Sequence, residues 1–149
     1  MGCPDPNEWE YSRWYPCHSG FAPIARRGIR DFARLCGLGE RALIGIESAA
    51  GEAINNAIEH GHHPEKGIQV RARRLANGLV VEIQDYGVGF KAKLREASRP
   101  ALAPRGYGIR IMTGSMDLVE FSDAGRCVRL TVYDRSPKST SITLAPRSG

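Results

Sequence analysis

The chain has 149 residues, 42% of them apolar and 25% charged, which fits one globular domain able to bury a core without disulfides or metals. No apolar run approaches the roughly 20 residues needed to span a bilayer. Met1 to Tyr15 lacks the basic-then-apolar pattern of a signal peptide, so a cytoplasmic location is expected. The net charge of +5 comes mostly from scattered arginines, with no dense basic run or basic-aromatic stripe. That distribution argues against a nucleic-acid footprint and suits an anionic ligand or an acidic protein partner.

In chain order, the first expected element is a short strand over Glu10 to Tyr15, where Trp9, Tyr11, Arg13 and Tyr15 alternate. Phe21 to Cys36 reads as a helix whose apolar face is Ile24, Ile29, Phe32, Ala33, Leu35 and Cys36. Pro23 suits its first turn and Gly37 its end. A second helix is expected over Glu40 to Glu59. It contains Gly45 and Gly51, which weaken it by about a kcal/mol each and mark close packing. His60-Gly61 ends it, with Pro64 beyond.

Gly67 to Leu75 alternates, Ala76-Asn77-Gly78 is a turn signal, and Leu79 to Ile83 is apolar and β-branched, so the two runs predict a hairpin. Lys91 to Arg105 has no period and holds Pro100 and Pro104, which predicts a loop. A third helix is expected over Tyr107 to Met116, then strands over Leu118 to Ser122 and Val128 to Tyr133. The residues beyond are rich in Ser, Thr, Pro and Lys and read as a tail. The expected division is an N-terminal segment over 1–20, a folded domain over 21–134 and a tail over 135–149. The order predicts an α+β, two-layer sandwich: a mixed, mostly antiparallel sheet with helices on one face. Cys3, Cys17, Cys36 and Cys127 include no C-x-x-C pair and read as free thiols, with Cys36 and Cys127 in apolar elements.

Three constellations carry chemistry. On the second helix, Glu52, Asn56 and His60 are four residues apart and share a stripe. A carboxylate and an amide oxygen one turn apart can hold a hard cation, although a solvated polar face is the commoner use of such a stripe. Asp85-Tyr86-Gly87-Val88-Gly89 follows a strand. The aspartate can accept from an exocyclic amine, and the glycines let backbone approach a flat ligand. Alone, it could equally be a strand-ending turn. Arg105-Gly106-Tyr107-Gly108 opens a helix, whose N-terminal N–H groups bind phosphate, or it is a loop hinge. No G-K-[ST] is present, so the chain has no P-loop. Ser48 is placed off the Glu52 stripe without a base partner, which argues against a Ser-His-Asp hydrolase. His62 and His63 read as a solvated turn rather than a zinc site.

In this order and spacing, the three segments resemble the boxes of the GHKL, or Bergerat-fold, ATPases. Glu52 to His60 is similar to the family's N box, Asp85 to Gly89 to its first glycine box, and Gly106 to Gly108 to its second. The resemblance spans about Ala22 to Tyr133. Within the family, the short lid, the arginine-rich first helix and the segment RGYGIRIMTGSMD resemble the bacterial anti-sigma-factor serine/threonine kinases. Gly125-Arg126-Cys127 departs from the Gly-Thr pair those kinases often carry.

The resemblance implies that Asn56 coordinates Mg²⁺ bridging the ATP phosphates and that Glu52 is general base for a protein hydroxyl. It implies that Asp85 binds the adenine amino group, that Gly87 and Gly89 line the base pocket, and that Gly106 and Gly108 hold phosphate. Thr131 would help at the adenine through a water, and Arg105 would reach phosphate or remain a solvated loop residue. Arg26 and Arg27 would form part of a partner surface or stay solvated.

The implied activity is an ATP-dependent kinase that sequesters a sigma factor and phosphorylates a STAS-type antagonist in partner-switching or stress-signalling regulation. No membrane or direct nucleic-acid role is implied, and a homodimer is a fair expectation. An ATP-responsive binding module without phosphotransfer is the alternative. Salt-dependent DNA binding without ATP would mark a third reading, a basic nucleic-acid binder.

Overall fold

The computed structural model describes residues 9–60, 65–87 and 114–135. These form strand β1 (Tyr11–Tyr15), helices α1 (Ala22–Leu35) and α2 (Glu40–His60), and strands β2 (Ile68–Leu75), β3 (Gly78–Gln84), β4 (Leu118–Ser122) and β5 (Cys127–Tyr133). The strands make one sheet in the order β1-β2-β3-β5-β4. Each of these pairings is antiparallel. The fold is therefore α+β, with both helices on one face. No helix among the described residues is long and apolar enough to cross a membrane.

Period-2 alternation sets the two faces of the sheet. Ile68, Val70 and Ala72 of β2, Leu79, Val81 and Ile83 of β3, and Val128, Leu130 and Val132 of β5 point into one core under the helices. Across the other face, Arg71, Glu82, Arg129 and Glu120 lie at matching register on β2, β3, β5 and β4. Glu82 is buried there, accepting from Arg129 Nε at 2.9 Å and facing Arg71 Nη2 at 3.7 Å. Trp9 stacks against the Arg71 and Arg73 guanidinium groups.

Helix α1 takes Pro in its first turn, as its sequence requires. At its end Gly37 adopts φ 82°, with Leu38 N–H donating to the Ala33 carbonyl and Gly37 N–H to that of Arg34. This left-handed closure satisfies the last helical carbonyls and suits glycine. Its buried face is Ala25, Ile29 and Ala33, with Phe32 and Cys36 packed at the rim. Ile24 and Leu35, expected on that face, are 53% and 80% exposed instead. The sequence pattern drew too wide an apolar arc: α1 meets α2 through small residues, and so buries a narrow stripe.

Helix α2 lies over β3 and β5. Its start is tied to the end of β5, where Asp134 Oδ2 accepts Gly39 N–H at 2.6 Å. Ala42, Ala49, Ala50, Ala53 and Ala57 bring it close to the sheet, and Ile46 and Ile54 fill the space between. The hairpin turn at Asn77-Gly78 needs a glycine, since a Cβ at Gly78 would meet the Val132 carbonyl oxygen at 2.2 Å. Of the third helix expected over 107–116, only Gly114 and Ser115 are described, both helical, and Met116 lies beyond the helix end.

Candidate functional site

Alternation that buries Leu79, Val81 and Ile83 carries Asp85, just past β3, to the helix face of the sheet. Asp85 is 2% exposed. Its N–H donates to the Arg126 carbonyl at 2.8 Å, continuing the β3–β5 ladder, and its Oδ1 accepts Gly87 N–H at 2.9 Å. The carboxylate thus folds the Asp85-Tyr86-Gly87 turn back on itself.

Cys17, between β1 and α1, links this turn to α2. Its thiol contacts the Ile58 carbonyl at 3.2 Å and that of Ala57 at 3.9 Å. Burial pushes the thiol up from its ordinary pKa, and the Asp85 carboxylate pushes it further. Cys17 thus stands on the last turns of α2, the part of the helix that carries Asn56, within the field of the Asp85 carboxylate. Helix α2 runs from the Tyr133 end of β5 to the Asp85 end of β3.

Glu52 and Asn56 are one turn apart on α2, about 6 Å along its axis, and both are half-buried at the edge of the core face. Glu52 opens on a cleft of about 260 Å³ between α1 and α2, lined also by Arg26, Ile44, Glu47, Ser48 and Asn55. Ser48, placed off the Glu52 stripe from sequence, is one helical turn from Glu52 and shares its cleft; four residues are one turn. His60, the third member of the expected stripe, is 5% exposed, with Nε2 3.9 Å from Glu59 Oε2. The stripe rotates inward because 3.6 residues make a turn, so two steps of four drift toward the core. Arg26 and Arg27 are exposed on α1, and the Arg26 side chain lies over Gly51, next to Glu52.

Thr131 is not brought to Asp85. It is paired with Val80 and Leu118, while Asp85 meets Arg126, five residues earlier and about 16 Å along the strand. Thr131 also alternates with the core residues Leu130 and Val132, so it stands on the sheet face away from the helices. Reading the β5 threonine by type rather than by register caused the error. The residues that do flank Asp85 are Cys17 and Arg126. An arginine directly before a strand that pairs with the aspartate-bearing strand was the available signal for the latter. Gly89, Arg105, Gly106 and Gly108 lie outside the described residues, as do His62 and His63.

A larger cleft, of about 660 Å³, lies at the opposite end of α2 and is lined by Arg41, Gly45, Ser115, Asp117 and Tyr133 among others. Size does not make it the site. Its acidic groups are already engaged, Asp117 with Arg135 at 2.9 Å and with Tyr133 N–H at 2.7 Å, and Asp134 with Gly39 N–H at 2.6 Å.

The profile of the histidine kinase-like ATPase domain matches residues 21–132. Among curated relatives, the anti-sigma F factor of Thermoanaerobacter sp. (strain X514) is 29% identical over 125 residues, covering 77% of this chain and 87% of that protein. The anti-sigma F factor of Clostridium perfringens (strain 13 / Type A) is 29% identical over 110 residues, 68% of this chain and 70% of its own. That of Oceanobacillus iheyensis is 33% identical over 86 residues, 53% and 59% respectively. The match runs from the start of α1 through nearly all of β5 and takes in Glu52, Asn56 and Asp85, and the chain belongs to the histidine kinase-like ATPase domain family.

Proposed function

We propose that this chain is an ATP-dependent serine/threonine protein kinase that holds a sigma factor and phosphorylates a STAS-type antagonist of that inhibition. The observation that carries the reading is the pairing of Glu52 and Asn56, half-buried one turn apart on α2, with Asp85 buried and held by Gly87 N–H at the end of β3, the strand α2 lies over. The anti-sigma F factors it resembles support the sigma factor as a partner, and the STAS-type antagonist follows from the family resemblance of the three boxes.

The donor set fits the implied metal. The Asn56 amide supplies a hard oxygen, which suits Mg²⁺. Among the described residues no group of three His, Cys, Asp or Glu side chains could cage a metal. An ion here would rely on nucleotide oxygens and water, as Mg²⁺ commonly does. When bound, Mg²⁺ neutralises charge on the phosphates.

This chain's residues divide the remaining work. Asp85 accepts a hydrogen bond from the adenine amino group, and the Gly87 backbone leaves room for the ring. Asn56 presents its amide oxygen to the metal. Glu52 faces the α1–α2 cleft, the side from which a protein hydroxyl would approach. There the serine or threonine oxygen bonds to the γ-phosphorus, the bond from that phosphorus to the β,γ-bridging oxygen breaks, and ADP leaves with the electron pair. Glu52 takes the hydroxyl proton. Gly89, Gly106 and Gly108 belong to the same proposal as base and phosphate contacts, and Arg105 as a phosphate contact. A cytoplasmic location and a homodimer accompany it.

The test is phosphotransfer from γ-labelled ATP to a STAS-domain protein encoded beside this chain. Label should pass to the antagonist with wild type and fall by at least about a hundredfold with Glu52→Gln, while ATP binding persists. ATP binding without any phosphoprotein product would instead establish an ATP-responsive binding module.

A further inference from the structure

The turn between β4 and β5 is built from three consecutive residues in the left-handed region: Asp123 (φ 52°), Ala124 (φ 56°) and Gly125 (φ 86°). Two of these carry a Cβ, and such conformations persist where surrounding contacts over-determine them. The contacts here run to the nucleotide-reading turn. Gln84 Nε2 donates to the Asp85 carbonyl at 2.8 Å and to Asp123 Oδ2 at 3.0 Å. Arg126 Nε donates to the Gly87 carbonyl at 2.9 Å, and its Nη1 to the Asp123 carbonyl at 3.2 Å. Its Nη1 also lies 3.7 Å from Asp123 Oδ1. Arg126 N–H closes the turn on the Asp123 carbonyl at 3.0 Å, and its own carbonyl accepts Asp85 N–H.

Arg126 thus grips Asp85-Tyr86-Gly87 at both ends, by its carbonyl at Asp85 and by its guanidinium at Gly87. Between those points, Gly87 N–H holds Asp85 Oδ1. The direction in which the carboxylate presents its acceptor depends on where Gly87 sits, and Gly87 is held by Arg126. A backbone amide would hold a strand end, but only a forked cation reaches the Gly87 carbonyl and the Asp123 carbonyl together.

We propose that Arg126 is a positioning residue for base recognition: it sets the aim of Asp85 by clamping Gly87, and so determines discrimination for a purine bearing an exocyclic amine. This rests on the proposed nucleotide reading of Asp85. Arg126 acts through the turn and is not itself assigned a contact to the base.

The experiment compares ATP with ITP, whose base has a carbonyl where adenine has the amine, by calorimetry on wild type, Arg126→Ala and Arg126→Lys. Melting of each nucleotide-free protein checks that it is folded. Wild type should prefer ATP by at least about a hundredfold, since a carbonyl set against a buried carboxylate pairs two acceptors. Arg126→Ala should lower that preference by about tenfold, mostly through weaker ATP binding. Arg126→Lys keeps a cation without the fork and should fall between.

Equal weakening of ATP and ITP in Arg126→Ala would show a merely structural role and overturn the proposal, as would an unchanged preference. Should Arg126→Ala fail to fold, a preference in Arg126→Lys equal to wild type overturns it. Wild type that binds neither nucleotide, or both alike, would instead refute the reading of Asp85 and the proposal with it.

Discussion

Two glycines in α2 allow the same substitution to be compared in two surroundings. Glycine in a helix interior is about 1 kcal/mol less favourable than alanine, so Gly→Ala should stabilise wherever a Cβ has room. At Gly51 the new Cβ would stand 3.0 Å from Arg26 Cδ, the far part of an exposed, flexible side chain. Arg26 can swing away at a cost of a few tenths of a kcal/mol in lost packing. At Gly45 the Cβ would meet the Ser115 carbonyl oxygen at 3.1 Å and Met116 Cε at 3.5 Å. That oxygen is backbone, and Met116 is buried in the core, so relief requires moving the chain that leads into β4.

Gly51→Ala should therefore raise stability by roughly 0.5–1 kcal/mol, a rise in Tm of about 1–4 °C for a chain of this size. Gly45→Ala should leave Tm unchanged or lower it. Thermal unfolding followed by circular dichroism, with urea titration as a check on the slope, reads both. Equal stabilisation by the two substitutions, or a lowered Tm for Gly51→Ala, would refute the reasoning. Gly51→Ala should also leave ATP affinity unchanged, because it displaces Arg26 in the α1–α2 cleft and touches nothing at the Asp85 turn.

Asp134→Ala removes the acceptor for Gly39 N–H at the start of α2 and should cost about 1–2 kcal/mol in urea unfolding, with Asp134→Asn recovering part. Glu82→Ala leaves Arg71 and Arg129 facing each other across β2, β3 and β5. Both arginines are partly exposed, so the cost should be about 1–3 kcal/mol rather than the larger figure for a fully buried pair; a loss below about 0.5 kcal/mol would contradict the account. Burial and the Tyr15 hydroxyl raise the Tyr11 pKa above its ordinary value of 10.0. The stability this group contributes is full below pH about 10, the unfolded value, and is lost as pH rises toward the folded one. Tyr11→Phe should flatten the alkaline limb of a stability–pH curve, and an unchanged limb would show that other groups govern it.

Much of the fold was legible because its strands alternate cleanly. Ile68, Val70 and Ala72 against Gln69, Arg71 and Arg73 fixed β2 to within a residue, and Asn77-Gly78 located the hairpin. Helix faces were less legible. The stripe on α1 was drawn from apolar residue types, yet Leu35 faces solvent while Ala25 is buried, since α1 packs on α2 through small side chains. The spacing of Glu52 and Asn56 and the side of the sheet that carries Asp85 could be read because helix period and strand alternation place side chains locally. Arg126 and Cys17 could not. Their relation to Asp85 arises from strand order β3-β5 and from the packing of the β1–α1 link on α2, both long-range. Thr131 failed for the same reason: a residue type on the right strand does not give its register.

The central claim is that Asp85 and Asn56 belong to one nucleotide site. Calorimetry of ATP with and without Mg²⁺, on wild type, Asp85→Ala and Asn56→Ala, tests it most directly. Wild type should bind in a Mg²⁺-dependent way, Asp85→Ala should lose binding, and Asn56→Ala should keep a weaker affinity that no longer responds to Mg²⁺. Wild type that binds no ATP under either condition, or variants that bind as wild type does, would contradict it.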